Sequence, residues 1–197
     1  MKIVPADRIS EELPWLIQVL SRDGVIAYPT DTLYGLGCDA FSKIGVERIW
    51  QLKGRTEKKP ISIVCANLQQ VREYAQMSDY ATRVMKQVLP GPFTVVLPIT
   101  SKTPPLVCSK DGKVGIRIPA NEICLELVRR LGRPITSTSV NKAGQPPLTT
   151  PEEIAKNFPE LDAVIDAGPL NSLGSTVIDA TGEEVQVIRE GIGELHF

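Results

Sequence analysis

Hydrophobic and polar positions along this chain follow two periods in turn. Leu13, Leu16, Ile17 and Leu20 recur at helical spacing behind Ser10, whose hydroxyl suits an N-cap, and Gly24 ends the run. Residues 25–28 are continuously apolar and too short for a helix, which predicts a buried strand. The same reading predicts a helix over 42–52 stopped by Gly54, then a strand over 61–65. Residues 79–89 read as a helix that Pro90, Gly91 and Pro92 break, with a strand following over 93–97. Val114, Ile116 and Ile118 share one face of an alternating strand, and Arg117 takes the other. A helix over 121–131 closes at Gly132, and a short strand begins near Ile135. Thr150, Pro151, Glu152 and Glu153 combine a capping box with proline at the first helical position. Strand-like runs over 163–165, 176–178 and 185–188 complete the pattern.

Strands interleaved with helices of about ten residues predict an α/β layered fold. The strands crowded near the C-terminus predict a mixed sheet, with hairpins beside parallel pairs. No linker or repeat interrupts the pattern, so residues 1–197 read as one domain.

Composition changes this picture only by exclusion. The formal net charge is −1, so no global field steers the chain towards nucleic acid or a membrane, and a polyanion needs a local patch. Cys38, Cys65, Cys108 and Cys124 have no metal-ligand spacing and read as small buried apolar groups in a reducing compartment. No secretory h-region or membrane-length apolar run occurs, which makes the cytoplasm the expected location. The single histidine, His196, leaves no positioned imidazole for Ser-His-Asp or Cys-His chemistry, and zinc hydrolysis lacks its ligands. Chemistry that runs on positioning and electrostatics remains, and transfer at phosphorus is of that kind. No GxxxxGK[ST] loop is present. A GxGxxA match at residues 35–40 follows a polar turn, and its glycines read better as a tight bend than as a dinucleotide site.

Three segments could carry chemistry. Residues 53–59 hold four cations, Lys53, Arg55, Lys58 and Lys59, between a helix and a buried strand. That loop fits a phosphate grip, and it equally fits a solvated basic turn. Residues 136–141 gather hydroxyls, with Ser139 and Asn141 on one side if the backbone is extended; the same residues suit a self-satisfied turn. Arg117 and Arg189 sit within or at the end of apolar strands, where each would pair with a carboxylate or an anionic ligand.

Taken together, YPTDTLYGLGCDA (28–40), KGR (53–55), PGPFTVVL (90–97), VGIRIP (114–119), STSVN (137–141), GSTVID (174–179) and IREG (188–191) are similar to the YrdC/TsaC-like threonylcarbamoyl-AMP synthases over nearly the whole chain. The resemblance implies a YrdC-like twisted open mixed sheet flanked by helices around a central basic cavity, at the length of a minimal catalytic unit. It implies that L-threonine, bicarbonate and ATP with Mg²⁺ yield threonylcarbamoyl-AMP and pyrophosphate for the t6A37 modification of tRNA. The partners would be the t6A-transferase machinery, with tRNA or double-stranded RNA as a further candidate. The signature KxR…SxN falls on Lys53, Arg55, Ser139 and Asn141, which become the catalytic candidates. ATP would contact Arg55, Lys59, Ser139 and Arg189, with Lys53 nearby. Threonine would contact Thr32, Arg117, Ser137 and Ser175. No protein metal ligands are expected. Many synthases read PLIVH where this chain reads PISIV and so places Val64, a departure that resembles the YciO-type branch.

Overall fold

A computed structural model of the chain describes residues 1–54 and 59–195. Its strands are β1 (Lys2–Pro5), β2 (Ile26–Pro29), β3 (Tyr34–Gly37), β4 (Ser62–Val64), β5 (Phe93–Pro98), β6 (Lys113–Arg117), β7 (Ile135–Ser139), β8 (Ala163–Asp166), β9 (Thr176–Asp179) and β10 (Gln186–Arg189). They join in the order β1-β8-β2-β3-β7-β4-β6-β5-β9-β10. The sheet is mixed: β1 and β2 run parallel to β8, β4 to β6 and β5 to β9, while the remaining neighbours are antiparallel. The helices are α1 (Ile9–Ser21), α2 (Lys43–Leu52), α3 (Leu68–Tyr74), α4 (Asp79–Val88), α5 (Glu122–Leu131) and α6 (Pro151–Asn157). The α/β class and the mixed, twisted sheet flanked by helices are as expected.

Two apolar clusters hold the layers. On one face Leu13, Leu16 and Leu20 of α1 and Cys124, Leu127 and Val128 of α5 meet Ile26, Tyr28, Val64 and Ile135 from the strands. On the other, α2, α3, α4 and α6 contribute to a larger cluster with Val95, Leu97, Val114, Ile116 and Ile178. Successive strand residues face opposite sides. Lys113, Gly115 and Arg117, with Thr94, Val96, Ser175, Val177 and Asp179, therefore face away from the larger cluster, and they line an open cavity.

Local chemistry accounts for most boundaries. The side chains of Ser42, Asn67, Ser78, Asn121 and Thr150 each accept a bond from a backbone N–H three residues on, fixing five helix starts. Ser10 does not cap α1 as expected. It lies inside the helix, which is entered from a 3₁₀ turn over Ala6–Arg8 with no side-chain cap. The expected bend at Gly35 and Gly37 is instead the strand β3. Its glycines answer to the Tyr28 ring, which crosses them so that the phenol donates to the Thr136 carbonyl at 2.8 Å. A Cβ on Gly37 would sit 2.4 Å from Tyr28 Cε1. Among the described residues no helix is long and apolar enough to cross a membrane.

Candidate active site

The cavity occupies about 550 Å³ over strands β3, β7, β4, β6, β5 and β9. Register aligns its floor: Ser62 of β4 stands opposite Ser137 of β7, Gly35 of β3 opposite Ser139, and Gly115 of β6 opposite Val96 of β5. Gly115 keeps the floor open, because a Cβ there would lie 2.6 Å from Ser62 Oγ. Of the expected site residues, Thr32, Arg117, Ser137, Ser139, Ser175 and Arg189 all line this one cavity.

Arg117 closes one end. It is 7% exposed, and its Nη2 donates to Asp31 Oδ1 at 2.8 Å and to Thr32 Oγ1 at 3.2 Å, while Nη1 donates to Ser137 Oγ at 3.3 Å. Asp31 is held from the other side by the backbone N–H of Ala120, 2.9 Å from Oδ2. Arg117 Nε is buried and has no partner. A buried cation with an unpaired N–H is an under-satisfied group, held in place here by its Asp31, Thr32 and Ser137 partners.

Ser175, 6% exposed, shares a hydrogen bond with Thr94 Oγ1 at 2.9 Å. Arg189 Nη2 donates to the Ser175 carbonyl at 2.8 Å and to its hydroxyl at 3.2 Å. Among the described residues Arg189 has no carboxylate partner. Desolvation by the cavity wall, and secondarily the Arg117 charge, lower its pKa from the ordinary guanidinium value. Two cations facing one another across a cavity favour an anion between them. Gly191 lets the chain after β10 pack against this corner, since a Cβ would meet the Ser175 carbonyl carbon at 2.4 Å.

Lys53 and Asn141 stand behind the cavity wall. Lys53 is 1% exposed, and its ammonium donates to the Ser139 carbonyl at 2.6 Å, to Asn141 Oδ1 at 2.7 Å and to the Asn141 carbonyl at 3.1 Å. Ser139 Oγ also donates to Asn141 Oδ1, at 2.7 Å. Lys53 thus ties the end of α2 to the end of β7, joining two distant halves of the KxR…SxN pattern. Lys59 is exposed and lies outside the cavity lining, its carbonyl accepting from Trp50 Nε1 at 3.1 Å. Arg55 lies outside the described residues.

Residues 18–191 match the profile of the Sua5/YciO/YrdC family, which carries the description "Telomere recombination". The chain belongs to this family. It is 34% identical over 182 residues to the uncharacterised protein YciO of Escherichia coli, covering 91% of this chain and 88% of that one. It is 34% identical over 192 residues to the threonylcarbamoyl-AMP synthase of Pyrococcus abyssi, covering 94% of this chain and 56% of that one. Two crystal structures share the fold. E. coli YciO matches at TM-score 0.89 and 30% identity, over 98% of this chain and 96% of that one. P. abyssi Sua5 complexed with L-threonine matches at 0.88 and 31% identity, over 96% of this chain and 57% of that one. The chain therefore spans little more than half the length of the Pyrococcus protein.

Within this Sua5/YciO/YrdC domain, the sequence reading missed two ion pairs at the cavity. Asp31 is the ion-pair partner of Arg117. Lys113 and Asp179 form a second pair at 2.9 Å, with Asp111 3.7 Å from the same ammonium. The hydrogen bond that Lys113 donates to Asp179, then the carboxylate's charge, raises the Lys113 pKa. Burial pushes the Asp179 carboxyl up, but bonds from Thr181 and Lys113 outweigh it and hold the pKa below the ordinary carboxylate value. Alternation along β6 was the signal available, because it puts Lys113 on the Arg117 face. The cavity expected to be basic carries Lys113, Arg117 and Arg189 against Asp111 and Asp179 among the described residues.

No group of three His, Cys, Asp or Glu among the described residues could hold a metal alone. Mg²⁺ commonly binds through substrate phosphates with one or two carboxylates. Asp111 and Asp179 are the carboxylates the cavity offers for that arrangement.

Proposed function

We propose that the chain makes threonylcarbamoyl-AMP and pyrophosphate from L-threonine, bicarbonate and ATP, and that the product serves N6-threonylcarbamoylation of adenosine 37 in tRNA. The observation that carries this reading is Arg117, a guanidinium in the cavity lining flanked by the hydroxyls of Thr32 and Ser137. A carboxylate is the ligand such a group recognises with geometric precision. The complex of the related P. abyssi Sua5 with L-threonine supports an amino acid as one ligand. Ser175 borders the same space.

The free amine of threonine adds to the carbon of bicarbonate, water leaves, and a carbamate forms. A carbamate oxygen then attacks the α-phosphorus of ATP, the bond to the bridging oxygen breaks, and pyrophosphate departs. Both reactants are anionic, so the site must hold them in line and offset their repulsion. Of the described cations lining the cavity, Arg189 is the one without a carboxylate partner, and it suits the nucleotide phosphates. Arg55 and Lys59 join it in this proposal, while Lys53 acts by fixing Ser139 and Asn141. When carried with ATP, Mg²⁺ would neutralise part of the phosphate charge.

Pyrophosphate release from ATP tests the reading. Release should require both threonine and bicarbonate and should vanish in Arg55→Ala. Release that ignores either co-substrate refutes it. One observation favours a second reading: Val64 is fully buried beneath α1 and α5 at the position where many synthases carry histidine. A YciO-like paralogue would use the same cavity on a different small acid or nucleotide. Comparing threonine with serine and other amines separates the two, and clear threonine preference at low concentration removes the second.

A further inference from the structure

Strand β4 presents a hydroxyl to the cavity that neither the KxR…SxN pattern nor the threonine set includes. Ser62 is half-buried in the cavity lining. It stands directly opposite Ser137 on β7, a pairing that brings two Cβ atoms to about 4.5–5.5 Å of one another. Ser137 Oγ is the atom that accepts from Arg117 Nη1, so Ser62 lies one side chain away from the guanidinium. On its other flank β6 offers only Gly115, where a Cβ would come within 2.6 Å of Ser62 Oγ. Without that Cβ, the hydroxyl can be reached from the cavity.

The other hydroxyls of this region are already engaged. Thr30 donates to the Leu33 carbonyl at 2.7 Å, which leaves Thr32 to donate to Thr30 Oγ1 at 3.1 Å while it accepts from Arg117. Ser139 donates to Asn141. Ser62 Oγ has no hydrogen-bond partner among the described residues, so its proton and its lone pairs are both open to a ligand. The hydroxyl is also particular to this chain. PLIVH puts isoleucine at this position and histidine two residues on, whereas the same face of β4 here carries Ser62 and the fully buried Val64.

An amino acid whose carboxylate rests on Arg117 carries a side-chain hydroxyl three bonds from its carboxylate carbon, which is within the span between Ser137 and Ser62. We propose that Ser62 is a specificity-determining residue that hydrogen-bonds this hydroxyl, so that the cavity selects a β-hydroxy amino acid over its deoxy counterpart. This rests on the proposed function, because it takes the Arg117 end of the cavity as the amino-acid site.

Calorimetric titration of the unaltered protein and of Ser62→Ala with L-threonine and L-2-aminobutyrate tests the assignment, since the two ligands differ only by the hydroxyl. The unaltered protein should bind threonine about three- to tenfold more tightly, the effect of one neutral hydrogen bond. Ser62→Ala should bind the two alike, through weaker threonine binding and an unchanged constant for 2-aminobutyrate. Its melting midpoint should stay within about 2 °C of the unaltered protein, because no contact within the protein is lost. An undiminished threonine preference in Ser62→Ala overturns the assignment. Equal weakening of both ligands overturns it as well: with an unchanged midpoint it puts Ser62 against the amine or carboxylate, and with a lowered one it marks a structural role. An unaltered protein that binds threonine and 2-aminobutyrate equally overturns this inference and leaves the proposed function standing. One that binds neither overturns both.

Discussion

Replacing Arg117 by methionine removes one half of a buried ion pair, and its effects on stability and on binding can be separated. The Arg117 and Asp31 side chains are 8% and 9% exposed and meet at 2.8 Å. Methionine fills the space of the arginine stem but leaves Asp31 without its counter-charge. Removing one partner of such a pair costs about 3–5 kcal/mol, because the remaining charge stays buried. The Ala120 N–H still donates to Asp31, which places the cost near the lower end, about 3 kcal/mol. A chain of this length loses about 2–4 °C per kcal/mol, so the melting midpoint should fall by about 6–12 °C.

The second variant, Asp31→Asn with Arg117→Met, keeps an acceptor for Ala120 and removes the orphaned charge. It should regain most of the lost stability in urea titrations, since deleting both charges of a buried pair is often nearly neutral. Threonine binding should not return. Loss of the guanidinium contact to a carboxylate is expected to cost about 2–4 kcal/mol, or roughly thirty- to a thousandfold in affinity, in both variants. A double variant that binds threonine like the unaltered protein would show that Arg117 is only half of a structural pair. A single variant of unchanged stability would refute the buried-charge argument itself.

Gly37→Ala forces a Cβ to within 2.4 Å of the Tyr28 ring and should destabilise by about 1–3 kcal/mol, with partial recovery on adding Tyr28→Leu; thermal melts of the two variants check it. Lys53→Met removes three hydrogen bonds to the 139–141 segment and should cost about 2–4 kcal/mol in urea titrations. Hydrogen exchange should show the loss concentrated where β7 meets the 139–145 turn; uniform loosening would argue against the clamp. Burial pushes the Cys38 and Cys124 thiols up from 9.0 to about 12. The folded state therefore holds these protons more tightly than the unfolded chain. Their contribution is complete below about pH 9 and is lost as pH rises towards about 12, so the urea midpoint should decline above about pH 9 and decline less in Cys124→Ala.

What could be read from the sequence was what one element determines by itself. The caps at Ser42, Asn121 and Thr150 lie within three residues of the N–H they satisfy, so the sequence displays both partners. Strand β3 was hidden because its two glycines have low strand propensity. Their reason is a tyrosine on the neighbouring strand that needs to reach a third. Asp31 was hidden in a turn for the same kind of reason, since its partner lies 86 residues away.

The basic loop and the Ser139 turn illustrate what pairing distant segments changes. Alone, each fits a bland reading, a solvated turn and a self-satisfied hydroxyl cluster. The Lys53 ammonium joins them with three bonds across 86–88 residues of sequence, inside a cavity wall where only 1% of it is exposed. A fully buried lysine is rarely kept unless every donor is matched. That matching assigns Lys53 to fixing the wall and leaves the anion-facing work to the cations that line the cavity. Of these, Arg117 and Lys113 already have carboxylate partners, whereas Arg189 has none among the described residues. An arriving anion must therefore compete with Asp31 at one end and with Asp179 at the other. Electrostatic selectivity follows, because a ligand has to bring enough negative charge to displace a carboxylate at both ends. A triphosphate beside an amino-acid carboxylate brings that charge, and a neutral nucleoside does not.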